Sequence, residues 1–288
     1  MKNPLLIFAS SILLLGSSCQ KGEIAQPLHS IQFIGAVVPT KSSSPLAVGA
    51  VALLQLFKIE AGVEGGKIGE YTLVSHESGT LISTAPIFLE SGEYSFYSLT
   101  ENGSSLNVTP SVGNSLYLQS GKEYMRACKE RIKIEDNLSI YLDYQRLLSK
   151  LRFQIVSNQE YGVIVLNWLK VSTPQDGLYQ FHLAEGAFVE EPVVGPLKIV
   201  EEQNGLLELI VQPCNTTLEI ELSIEYIVGG KSFPNILCSG SLPLQTEAGH
   251  LYLIKLTPNI NSDPSISFRV EEWERVEQLI EFSKRGGV

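Results

Sequence analysis

Apolar and polar residues alternate with a period of two along most of this chain. The segment Thr217–Tyr226, TLEIELSIEY, puts Leu218, Ile220, Leu222, Ile224 and Tyr226 on one side and Thr217, Glu219, Glu221, Ser223 and Glu225 on the other. Such a segment is a strand with one face in a core and one face in water. Similar runs cover Val51–Ile59, Gly92–Leu99, Leu116–Leu118, Arg131–Ile134, Leu151–Val156, Val163–Val171, Leu206–Val211 and His250–Leu256. Turn clusters separate them: Gly65-Gly66, Glu101-Asn102-Gly103, Pro174-Gln175-Asp176-Gly177, Gln203-Asn204-Gly205 and Gly229-Gly230. Many short strands with no helical period between them predict antiparallel sandwiches rather than a βαβ fold. One segment departs. In Glu271–Lys284, Trp273, Val276 and Ile280 recur at i, i+3 and i+7 with Leu279 adjacent, which predicts a short C-terminal helix capping the last sheet.

The first residues follow a different rule. Lys2 precedes an apolar or small stretch from Leu5 to Leu15, too short for a bilayer span of about 20 residues but suited to the core of a secretory signal. Leu15-Gly16-Ser17-Ser18-Cys19 resembles a bacterial lipobox, in which the cysteine is acylated and becomes the new N-terminus. Acyl chains hold a protein on a membrane because each buried CH₂ contributes about 0.8 kcal/mol. The expectation is a signal peptide over residues 1–18 and lipid attachment at Cys19. Gln20-Lys21-Gly22-Glu23 is similar to the short signal that sends such lipoproteins to the outer face of the outer membrane.

Residues 1–18 contain one lysine and no acid, so the remaining chain carries 20 basic against 31 acidic side chains, a net charge of −11. That sign argues against nucleic acid as a partner, which would need a basic patch. The length suits two domains, and 44% apolar content is ample for packed cores. Cys128, Cys214 and Cys238 form no disulfide framework. In a hairpin turning at Gly229-Gly230, facing residue numbers sum to about 459, which sets Cys214 against Gln245 and Cys238 against Glu221, far apart along the ladder. All three are expected to be buried and reduced.

A small motif recurs. LESGEYSFYSL (89–99), LQSGKEYMRAC (118–128) and QTEAGHLYLIKL (245–256) each set Ser-Gly or Ala-Gly before a strand led by an aromatic, Tyr94, Tyr124 or Tyr252. In order along the chain, VALLQLFKI, GEYSFYSL, LYLQSGKEYMRA, LRFQI, AGHLYLIKLTPN and FRVEEW resemble the fimbrillin family of Bacteroidetes, from about residue 46 to Trp273. The resemblance implies two tandem transthyretin-like antiparallel β-sandwiches, residues 46–136 and 137–276. A strand and linker over 19–45 would precede them and a tail over 277–288 would follow, with the boundary near Glu135–Asn137. One departure lies at Tyr144, where relatives often carry a histidine.

In polymerising members a protease removes the first mature strand and a partner's strand fills the groove, by β-augmentation. Here that strand is Ser30–Pro39, SIQFIGAVVP, with Ile31, Phe33, Gly35 and Val37 as the strand-exchange positions and Lys41 as the processing residue. No arginine, the residue after which such cuts commonly fall, occurs between Cys19 and Arg126. This favours a subunit that keeps both its first strand and its lipid, an anchor or tip rather than a shaft. The expected partners are other fimbrial subunits, outer-membrane lipid through Cys19, and a host protein or glycan receptor. The expected location is the fimbrium and the cell surface.

Nothing in the sequence points to catalysis, a cofactor or a metal. His29, His76, His182 and His250 stand alone, and no HExxH, CxxC, Gly-x-Ser-x-Gly or phosphate loop occurs. The doublets Glu190-Glu191 and Glu271-Glu272 send neighbouring side chains to opposite strand faces and make no hydrolytic pair. A monomeric surface lipoprotein that binds glycan is the alternative, with Tyr141, Tyr144, Tyr161 and Tyr179 as its aromatic candidates and Trp168 in an apolar strand.

Overall fold

The structure is a computed structural model and describes residues 27–37, 44–110, 115–156, 162–174, 177–203, 205–259 and 267–276. The described chain is strand almost throughout, interrupted by one 3₁₀ turn at Glu77–Gly79. The first part runs through β1 (Leu28–Val37), β2 (Ser44–Pro45), β3 (Val51–Glu60), β4 (Val63–Ser75), β5 (Thr80–Ser83) and β6 (Ile87–Glu90). It continues through β7 (Gly92–Thr100), β8 (Val108–Pro110), β9 (Ser115–Gln119), β10 (Met125–Ile134) and β11 (Leu138–Arg146). The second part has β12 (Ser149–Ile155), β13 (Gly162–Pro174), β14 (Leu178–His182), β15 (Ala187–Phe188), β16 (Val194–Ile199) and β17 (Glu202–Gln203). It ends with β18 (Leu206–Val211), β19 (Asn215–Val228), β20 (Lys231–Gln245), β21 (Leu251–Asn259) and β22 (Ser267–Val276).

These strands form three sheets. The first runs β11-β10-β7-β3-β4-β5-β1-β2 with β6 also on β1, and it closes on itself because β1 pairs with β11. The second runs β16-β13-β19-β20-β22-β21-β12-β18-β17. The third, β15-β14-β9-β8, draws two strands from each half of the chain. Each sheet has its own apolar core. One lies inside the first sheet around Phe33, Leu54, Phe96 and Leu142, and another inside the second around Leu169, Leu222 and Ile254. The last joins Phe57, Tyr97 and Leu99 of the first sheet to Leu116, Tyr179 and Phe181 of the third. This explains why VALLQLFKI and YSFYSL are rich in apolar residues on both faces: β3 and β7 are covered on two sides.

Several expectations need adjustment. The changeover between the large sheets falls at residues 147–148, because β11 still pairs with β1 and β10. The boundary expected near Glu135–Asn137 lies in the turn between β10 and β11. Gly65-Gly66 lies inside β4, and the turn is made by Ala61 and Gly62, whose φ angles are 52° and 79°. Trp273 and Val276 belong to β22, which pairs along β21, so the C-terminal stripe begins as strand, where the sequence predicted helix. The neighbours it finds on β21 outweigh its helical spacing. Residues 277–288 lie outside the described residues.

The three recurring Ser-Gly or Ala-Gly motifs share one device, and each tyrosine serves a different core. The Tyr94 hydroxyl donates to the Glu90 carbonyl at 3.1 Å. The Tyr124 hydroxyl accepts from the Gln119 amide at 3.1 Å and donates to the Asn107 carbonyl at 2.7 Å. The Tyr252 hydroxyl accepts from the Glu247 amide at 2.9 Å. A buried ring thus packs into a core while its oxygen closes the turn four or five residues upstream, as in a tyrosine corner.

Candidate functional site

The strand-exchange candidates Ile31, Phe33, Gly35 and Val37 come together on β1. Its sequence LHSIQFIGAV alternates, and His29, Ile31, Phe33 and Gly35 face inward while Leu28 and Gln32 face solvent. Val37, the last inward position, is half-buried and packs against the first core. Phe33 is 1% exposed and meets the Phe96 ring edge-on, with centroids 5.5 Å apart. Burying side chains such as Ile31 and Phe33 stabilises by about 1.5–3 kcal/mol each. Cys19 and Lys41 lie outside the described residues.

Both edges of β1 are occupied. On one side Ile31–Val37 runs parallel to Leu138–Tyr144 of β11. On the other, Leu28–Ile31 pairs with β6, Phe33 and Ile34 pair with β5, and Ala36 and Val37 pair with β2, all antiparallel. Side chains fix the strand's start: the Ser30 amide donates to Asn137 Oδ1 at 2.8 Å, and His29 Nε2 lies 2.9 Å from Ser91 Oγ. The ladder is interrupted at Gln32, between the β5 and β6 pairings. There a cleft of about 500 Å³ opens, floored by Phe33, Leu73, Leu81 and Ile87 and rimmed by Gln32, Thr80 and Ser83.

At Gly35 the backbone approach is closest. The Leu46 amide donates to the Gly35 carbonyl at 3.2 Å. A Cβ on Gly79, whose φ is 75°, would stand 2.3 Å from that same oxygen, so only glycine fits there. Beneath Gly35 lies Tyr144, fully buried, its hydroxyl 2.6 Å from Ser98 Oγ. Burial pushes the Tyr144 phenol well above its ordinary value, and the Ser98 bond opposes part of that rise. From the sequence Tyr144 stands as a departure from a family pattern and as an aromatic candidate for glycan binding, not as part of the β1 slot. The alternation Ile140, Leu142, Tyr144 on β11 is the signal that places it in the floor of the β1 slot.

The other candidates disperse. Cys128, Cys214 and Cys238 are free; Cys214 and Cys238 are buried, while Cys128 is half-buried, which corrects its expected burial. Among the described residues no group of three His, Cys, Asp or Glu side chains could hold a metal, and no helix is long and apolar enough to cross a membrane. Glu190, on a bend, and Glu191 after it are both exposed, and Glu271 and Glu272 lie on β22. Of the aromatic candidates, Tyr144 and Tyr179 are buried, Tyr141 is 59% exposed, and Tyr161 lies outside the described residues. The Lys170 ammonium covers the Trp168 ring at 4.5 Å from its centroid.

The overall fold is similar to that of several solved structures. The chain is similar to a candidate cell adhesion protein from Bacteroides uniformis (TM-score 0.54, 13% identity, covering 88% of this chain and 99% of that one). It is also similar to one from Bacteroides ovatus (TM-score 0.55, 11% identity, 89% and 100%). The tip fimbrial protein Mfa3 from Porphyromonas gingivalis, with C-terminal truncation, matches at TM-score 0.51 and 10% identity over 88% of this chain and 100% of that one. The likeness is one of fold, and it agrees with the fimbrillin resemblance read from the sequence. No family model matches. A curated relative by sequence, the transcription factor kayak, isoforms D/sro, of Drosophila melanogaster, is 30% identical over 118 residues, and the chain spans 15% of its length.

Proposed function

We propose that the protein is a lipid-anchored fimbrial subunit on the outer face of the outer membrane, an anchor or tip member acting in cell adhesion without catalysis. The observation that carries this reading is β1, seated in a closed sheet with partners on both edges and apolar side chains filling the core beneath it. A strand so placed is either kept, which seals the subunit, or removed, which opens a groove that another strand can fill. The fold shared with a fimbrial tip protein supports the fimbrial role. We read the two large sheets as tandem transthyretin-like sandwiches, Cys19 as the lipid attachment residue and Lys41 as the processing residue. The lack of arginine before Arg126 favours a retained strand. The partners are other fimbrial subunits, with a host protein or glycan as the receptor.

Intact-mass and N-terminal analysis of the protein from native surface structures tests this. A chain that begins at acylated Cys19 supports a sealed, membrane-held subunit. A lipid-free chain that begins at Ser42 overturns the anchor reading in favour of a polymerising shaft subunit.

A further inference from the structure

Gly35 narrows the β1 slot at one place, and another segment of the same chain shows what that narrowing excludes. A Cβ on residue 35 would stand 2.7 Å from Leu46 Cδ1, 3.1 Å from Leu81 Cδ1 and 3.1 Å from Tyr144 Cε2. The two leucine methyls sit at the ends of flexible side chains and can give way. The Tyr144 ring cannot, because its hydroxyl is tied to Ser98 Oγ, which donates in turn to the Leu53 carbonyl at 2.8 Å. The strand cannot back away either, since its carbonyl at Gly35 lies against Gly79 and accepts from Leu46. Alanine requires a small shift there; any longer side chain must displace the ring or lift the strand.

The segment Ile280–Val288, IEFSKRGGV, repeats the β1 spacing up to this point. With Ile280 and Phe282 laid on Ile31 and Phe33, Lys284 falls on Gly35. Moved two residues so that Gly286 meets Gly35, the segment puts Lys284 on Phe33, a buried site among apolar side chains. Either alignment drives an ammonium into a core that offers no carboxylate.

We propose that Gly35 marks the specificity position of the β1 slot: a strand that replaces β1 must carry glycine, or at most alanine, at the place Gly35 holds. The slot therefore rejects Ile280–Val288, so copies of this chain do not join by that segment. The strand that fits follows the order aliphatic, aromatic, glycine, β-branched at alternate residues, the pattern of β1 itself. The inference rests on the strand-exchange reading above.

The test uses the full chain with a protease site placed at residues 40–43, cleaved and incubated with labelled peptides. Three peptides are compared: Leu28–Val37, Glu277–Val288, and Glu277–Val288 carrying Lys284→Gly. Native mass spectrometry follows replacement of the resident strand. The Leu28–Val37 peptide enters, the native C-terminal peptide enters at least about tenfold more slowly, and Lys284→Gly recovers most of that difference. Equal entry of the native and Lys284→Gly peptides overturns the size gate while leaving strand exchange standing. Failure of the Leu28–Val37 peptide to enter overturns strand exchange itself, and the gate with it.

Discussion

Tyr124 shows how much one residue can hold. Its ring is fully buried in the core between the first and third sheets, and its oxygen serves two backbone groups at once, Asn107 and Gln119. Removing one partner from a buried pair leaves the other unsatisfied, which costs more than the bond contributed. Tyr124→Phe is expected to lose about 1–2 kcal/mol, and Tyr252→Phe, which closes one such bond, about 1 kcal/mol. Urea unfolding with unchanged m-value is the measurement; if neither variant loses stability, these oxygens do not close the turns. Titration at the same scale gives a second prediction. Burial pushes the Cys238 thiol from an ordinary 9.0 up to about 11, and pushes the Tyr124 phenol up to about 12. An unfolded chain therefore releases the Cys238 proton near pH 9, while the folded chain keeps it to about 11. Between those values the folded state binds more protons, so its stability is full below pH 9 and falls as pH rises through the window. Cys238→Ala is expected to flatten the slope of stability against pH in that range, whatever it does to the absolute value. A slope unchanged by the substitution would place the alkaline loss elsewhere.

At the scale of elements, the hairpin β19–β20 separates what is legible in a sequence from what is not. Its existence, its turn at Gly229-Gly230 and its inward residues follow from alternation alone. Its register does not. Near the turn facing numbers sum to 459, as for Tyr226 and Phe233, but beyond Ile224 they sum to 460, which sets Cys238 opposite Leu222 instead of Glu221. The shift is a bulge at Pro234-Asn235: proline cannot donate to the ladder, and Asn235 takes a φ of 57°. Asn235→Gly should be neutral within about 0.5 kcal/mol, whereas Asn235→Val should cost about 1–2 kcal/mol, because a β-branched residue resists the left-handed region. Thermal unfolding distinguishes them, and equal behaviour of the two variants would deny the bulge its strain. The same lesson covers the slot. The inward set Ile31, Phe33, Gly35 and Val37 was readable from period two. Its neighbours were not: β11 reaches β1 from more than a hundred residues away, and Tyr144 joins the floor only once that parallel register exists. The C-terminal stripe erred the other way, since a helical spacing in Trp273 and Val276 was overridden by a ready partner in β21.

The whole molecule depends on the third sheet. β9 and β14 pair over five residues, Ser115–Gln119 against Leu178–His182, and so tie the two halves together by backbone hydrogen bonds. Arg126 of β10 adds a clasp: its Nε donates to the Leu183 carbonyl and its Nη2 to the Ala184 carbonyl, each at 2.6 Å, while its guanidinium stands 5.6 Å from the Tyr97 ring centroid. Under this lies an apolar core to which both halves contribute, Phe57 and Tyr97 from the first and Leu148 and Phe181 from the second. Two halves joined by a flexible linker would unfold in separate steps. Two that share a core and a sheet lose both together, because exposing the shared surface costs each of them its covering face. Phe181→Ala, which empties a fully buried site in the second half, is expected to cost about 3–5 kcal/mol. Native-state hydrogen exchange reads where that loss is felt. Amides of β3 in the first sheet and β19 in the second should lose protection by similar amounts. If β19 weakens while β3 keeps its protection, the halves are independent units and the third sheet is only a surface contact. Matched loss means that the two halves unfold as one unit and that a pull on one is borne by the other.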